Sequence, residues 1–160
     1  MTEHQAGRSG GAARLAAAVR NAIDRLDATQ SAGIDPDVFV EVGECLFWLV
    51  ALADHLNAKD DLVNGLRWPR DRIAHGQIVT APTHWQYGTE LGRWVLGAGA
   101  LGTISQHVWV SRPSVANRRE RRQDAKWGSF YDAEVAGRPV SAILWAALTL
   151  LRAKADSQGR

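Results

Sequence analysis

Residues Arg70-Asp71-Arg72-Ile73-Ala74-His75 put a fixed cation, a carboxylate and a titratable imidazole within six positions. A guanidinium can grip a phosphate through two parallel hydrogen bonds, and an imidazole can pass protons near neutral pH. Those are the tools for holding or cutting a phosphodiester. If the segment is helical, Asp71 and His75 are four apart and share a face. Asp71 can then fix the imidazole tautomer and raise its basicity. Arg70 projects about 140° away from His75, but its long side chain can reach round to stabilise charge on a phosphorane. For RNA the matching reaction is attack by a 2′-hydroxyl on the adjacent phosphate. It needs an acid/base and a cation, and no metal or other cofactor.

Spacing alone carries little weight. With sixteen arginines and five histidines in 160 residues, an Arg-x4-His pair arises by chance in about half of such sequences. The setting adds more: a polar residue directly follows the arginine, and the segment sits late in a helix that comes after a strongly apolar one. Competing chemistry is weaker. His75, His84 and His107 show no His-x3-His spacing and no Cys-x2-Cys accompanies them, so no metal site is expected. Cys45 lies in an apolar helix and reads as a buried thiol of normal reactivity. Arg118, Arg119, Arg121, Arg122 and Lys126 fall within nine residues, and Arg118, Arg122 and Lys126 form a stripe at four-residue spacing. Arg118, Arg119, Arg122 and Lys126 are the candidate nucleic-acid contacts, the alternative being a solvated helix face. His55 after Asp54 reads as a favourable residue at a helix C-terminus.

Composition bounds the class. A hydrophobic fraction of 46% and a charged fraction of 22% in 160 residues suit one globular domain. No apolar run approaches the roughly 18 residues of a membrane span. The N-terminus carries Glu3, His4 and Arg8 with no apolar signal core behind them, which argues against secretion. A lone cysteine excludes an internal disulfide and suits a reducing cytoplasm. Of the seven tryptophans, most should serve packing, and some could stack on bases.

The elements follow from periodicity and punctuation. Residues 1–11 and the polar tail at 156–160 read as disordered, and 12–155 as a single helical domain. Leu15, Val19, Ala22, Ile23 and Leu26 predict an amphipathic helix over Ala12–Thr29. Asp35-Pro36 should open a second, running to about Asn57, with Val38, Val42, Cys45, Leu46, Leu49, Leu52, Ala53 and Leu56 on its apolar face. Asp60 or Asp61 can cap a third helix that Gly76 stops. Pro69 must either kink this helix or begin a new segment. Between Thr80 and Arg112 the expectation is a small hairpin of Leu91–Leu96 with Ile104–Val110, joined by Gly97–Gly102. Helix returns over Ser114–Ala136, with an apolar stripe of Trp127, Tyr131 and Val135. After Gly137-Arg138-Pro139 a last helix spans Val140–Ala155 around Ile143, Leu144, Ala147, Leu148 and Leu151. The class is therefore all-α, an up-and-down bundle of about five helices with a small irregular or β-hairpin insertion.

Arg70-Asp71-x-x-x-His75 resembles the Arg-x4-6-His motif of HEPN domains (higher eukaryotes and prokaryotes nucleotide-binding), where a polar Asn, Asp or His typically follows the arginine. Glu44-Cys45-Leu46-Phe47-Trp48 and Gly65-Leu66-Arg67-Trp68-Pro69, with Trp127, Tyr131 and Ala136-Gly137-Arg138-Pro139-Val140, also resemble a group of small actinobacterial and phage proteins. The HEPN resemblance implies a helical bundle and a homodimer that brings two Arg/His sets into one cleft. It implies metal-independent RNA cleavage in toxin–antitoxin or phage-defence systems, with an antitoxin or other protein partner. Arg70, Asp71 and His75 are then the catalytic residues. Two features depart from the pattern. Pro69 precedes the arginine, and Gly76-Gln77 after His75 replaces the His-x-Tyr extension of the nucleotidyltransferase-paired toxins. The alternative is a non-catalytic helical protein whose Arg70, Asp71 and His75 form a polar network holding a dimer.

Overall fold

A computed structural model describes residues 3–32, 37–85, 104–114 and 122–158. The chain is mainly helical: α1 Glu3–Ser31, α2 Phe39–His55, α3 Asp61–Ala74, α4 Arg122–Glu134 and α5 Val140–Gln158. Strands β1 Thr80–Trp85 and β2 Ile104–Trp109 form a small antiparallel sheet, followed by a 3-10 turn at Arg112–Ser114. α1 packs on α2 and α5, α2 packs also on α3, and α3 packs on α4. The core is where the apolar periodicities meet: Val19, Ile23 and Leu26 of α1, Cys45, Leu46, Leu49 and Leu52 of α2, and Leu144, Leu148 and Leu151 of α5. Among the described residues no helix is long and apolar enough to cross a membrane.

Two helix ends run past the bounds that periodicity alone suggests. α1 starts at Glu3, well before Ala12. Ala12 is buried, and Gly11 lies so close to the His55 ring that a Cβ there would stand 3.0 Å from its Cε1. That contact seats α1 at Gly11 against the end of α2. α5 continues through Gln158, whose amide donates to the Leu56 carbonyl at 3.1 Å, while Lys154 donates to the Asn57 carbonyl at 2.8 Å. The polar end of α5 thus takes up the carbonyls of the turn that follows α2.

Starts and stops also differ in detail. The Asp35-Pro36 pair lies outside the described residues; α2 begins later, at Phe39, whose N–H is taken by the Asp37 carboxylate at 3.0 Å. Asp60 is the cap of α3, accepting the Leu62 N–H at 3.0 Å. Gly76 ends it with φ 72, a left-handed conformation that costs glycine little. Between them α3 passes through Pro69 as one continuous helix, so no new segment begins there. Proline removes a hydrogen bond to the Gly65 carbonyl and crowds it, and burial of Val63, Leu66, Trp68, Pro69 and Arg72 offsets that loss.

The hairpin is built differently from the sequence expectation. β2 falls where expected, but its partner is Thr80–Trp85, with Pro82 opposite His107. Leu91–Leu96 and Gly97–Gly102 lie outside the described residues. Among the described residues β1 is an edge strand, where the missing N–H of Pro82 need not break a ladder. The other side of β2 is met by the α4–α5 junction: the Gly137 N–H donates to the Trp109 carbonyl at 2.7 Å, and the Trp109 N–H to that of Arg138 at 3.0 Å.

Gly65 sets the closest approach of two helices. A Cβ there would stand 3.1 Å from the Phe130 carbonyl carbon and oxygen on α4, whereas one at Gly43 on α2 would meet only the Ile73 Cγ2 at 3.1 Å. Backbone cannot yield as a side-chain methyl can. Gly65→Ala should therefore cost about 1–3 kcal/mol in a denaturant melt. Gly43→Ala should cost clearly less, and equal losses would contradict this packing.

Candidate functional site

The register of α3 sorts its three arginines into different roles. Arg67 donates to the Asp54 carboxylate at 2.6 Å and its guanidinium lies 6.0 Å from the Trp127 ring centre, tying α3 to α2 and α4. Arg72 is only 5% exposed and lies 5.1 Å over the Trp68 ring. Trp68 in turn stacks at 4.5 Å, tilted 36°, on Tyr131 of α4, whose hydroxyl donates to the Val110 carbonyl. Arg70, between them, points to solvent.

Asp71 and His75 share a face, as helical spacing requires. Asp71 Oδ1 stands 3.9 Å from His75 Nε2, and the His75 side chain is 53% exposed. That distance is within ion-pair range but beyond a hydrogen bond. Fixing the tautomer through Asp71 therefore needs a rotamer change or an intervening water. His75 closes the helix, its N–H donating to the Arg72 carbonyl at 3.1 Å. The motif thus occupies the last turns of the helix, with His75 as its C-cap. Arg72 and Arg67 are not singled out by the sequence pattern; a buried arginine reveals itself only through the aromatic surfaces that receive it.

Of the expected nucleic-acid contacts, Arg118 and Arg119 lie outside the described residues. Residues 115–121 of the helix expected over Ser114–Ala136 likewise lie outside the described residues; α4 is described over Arg122–Glu134, and Lys126 is exposed on it. On the opposite stripe Tyr131 and Val135 are fully buried and Trp127 packs partly buried against the core. His107 is buried on β2, away from the exposed His75, and among the described residues no three His, Cys, Asp or Glu side chains group to hold a metal. An open recess of about 1060 Å³ is lined by α1 and α5 residues including Ala16, Arg20 and Arg152, none of them from α3. Among the described residues the Arg70–His75 group is an open surface site, with Arg70 and His75 exposed.

Cys45 is fully buried, and burial first, then the Glu44 charge, pushes its thiol up to about 12. Its unfolded value is near 9.0, so folding keeps the thiol protonated and its stabilising share is lost as pH rises from there towards 12. Iodoacetamide at pH 8 should leave native protein unmodified by mass spectrometry and alkylate it once denatured.

No protein-family model matches this chain, and neither a curated protein nor a solved structure does.

Exposure predicts how the arginines and the histidine of this stretch bear on folding. Arg70→Ala and His75→Ala should each change stability by less than about 0.5 kcal/mol. Arg72→Ala, which strips a buried cation from an aromatic face, should cost several-fold more in the same urea titration.

Proposed function

We propose that this protein is a metal-independent endoribonuclease acting as a homodimer, with the end of α3 as its active surface. The observation that carries the reading is the division among neighbouring cations: Arg67 and Arg72 are committed to aromatic and carboxylate partners, whereas Arg70 and the Asp71–His75 pair are presented to solvent. The HEPN-like motif names the same three residues. In the reaction His75 takes the proton of the 2′-hydroxyl, and the oxygen attacks the adjacent phosphorus. Arg70 stabilises the extra negative charge of the phosphorane. The bond to the 5′-oxygen then breaks, and that oxygen takes up a proton from the imidazolium of a second copy, leaving a 2′,3′-cyclic phosphate and a 5′-hydroxyl. Asp71 favours the imidazolium as it forms. An open surface cannot exclude water or supply two imidazoles, which is why a second chain is part of the reading.

Arg118, Arg119, Arg122 and Lys126 would add sequence-independent affinity that weakens as salt rises. A ribonuclease of this kind in the cytoplasm needs restraint, which fits a toxin or phage-defence setting with an antitoxin or other partner protein. The rival reading, a non-catalytic interaction protein, is favoured by one observation. Val40 and Ile78 are 72% and 70% exposed, a setting that suits burial against another protein.

RNA incubated with the protein in EDTA should give fragments ending in cyclic phosphate, and Arg70→Ala or His75→Ala should slow cutting at least about a hundred-fold. Intact RNA after incubation with dimeric wild type, across several unrelated sequences, would end the nuclease reading.

A further inference from the structure

The antiparallel pairing of α2 and α3 has two observed contacts, Gly43 against Ile73 and Asp54 against Arg67. Phe47 lies between them on α2 and is thereby level with the turn of α3 that carries Arg70. Phe47 is 52% exposed, an unusual state for phenylalanine. The ring is also braced. It stands edge-on to Trp48, with centres 4.9 Å apart and planes at 76°. Trp48 Nε1 reaches Glu44 at 3.4 Å, and Glu44 accepts from Arg25 at 2.5 Å. The hydrogen bond from Arg25 holds the Glu44 carboxyl below the usual range, so this carboxylate beside the ring is neutralised by its partner.

An exposed aromatic face level with an exposed arginine on the neighbouring helix is an arrangement that can receive a nucleotide, base on the ring and phosphate on the guanidinium. From this geometry we infer that Phe47 is the stacking platform for an unpaired base next to the phosphate held by Arg70. The inference rests on the ribonuclease reading and deepens it. The substrate is single-stranded RNA, because a paired base has no free face to offer. Phe47 is here a specificity-determining residue and takes no part in the chemistry.

The test uses the full chain carrying His75→Ala, so that RNA stays intact, and a fluorescent unstructured RNA read by anisotropy, beside the same strand in a duplex. The single strand should bind at least ten-fold tighter than the duplex. Adding Phe47→Ala or Phe47→Leu should each weaken single-strand binding roughly ten-fold or more, and Phe47→Trp should restore it. Sedimentation of the same samples should show one oligomeric state throughout. Leucine binding as well as phenylalanine, or equal affinity for duplex, would overturn the inference. So would a change of oligomeric state at unaltered RNA affinity, which would assign Phe47 to contact between copies. Cleavage lost in Arg70→Ala but untouched in every Phe47 variant would remove the platform and leave the nuclease standing. An absence of RNA binding by wild type and His75→Ala alike would remove both.

Discussion

The contact on which most of this structure depends is the backbone-level approach of α4 to α3 at Gly65. With no side chain there, the Phe130 peptide comes within van der Waals reach. That closeness lets Trp68 meet Tyr131 one turn later, and Arg72 then covers the Trp68 ring. Tyr131 carries the link onward through its hydroxyl to Val110, at the end of β2. Burial also pushes its phenol up, so it remains a donor. One missing methyl group thus aligns two helices, a sheet and a buried cation.

The consequence for the site is orientation. α3 is gripped on one side by this stack and on the other by Ile73 against Gly43 of α2. With two faces occupied, the helix can present only its remaining face. Arg70 and His75 lie on it, at the turn where Gly76 ends the helix. A rotation of one residue's angle would bury Arg70 and free Arg72, and the candidate chemistry would move with it. The arginine closest to the aromatic partners was taken for structure; the one left over is available for a ligand.

Much of the frame was legible in sequence because it follows from local rules. Apolar spacing marked the buried faces of α1, α2 and α5, and Asp60, Gly76 and Gly137-Arg138-Pro139 punctuated the helices where capping chemistry and left-handed backbone require. Where local rules failed, a distant partner had intervened. Thr80–Trp85 contains Pro82 and no clean alternation, and it is a strand because β2 pairs with it. Asp71 and His75 were placed on one face by their spacing alone, yet their 3.9 Å separation depends on rotamers that spacing does not set.

Sequence by itself determined that the chain is mainly helical, where α3 starts and stops and where α5 starts, and that a cation, a carboxylate and an imidazole fall together on α3. Those properties depend on hydrogen bonds and periodicities spanning a few residues. Tertiary structure alone decided that α3 would run unbroken through Pro69, and that Arg67 and Arg72 would be bound while Arg70 faced solvent. Each of those outcomes is a balance between a local cost and burial against α2 or α4. Such a balance is invisible until the surfaces that tip it have been brought together.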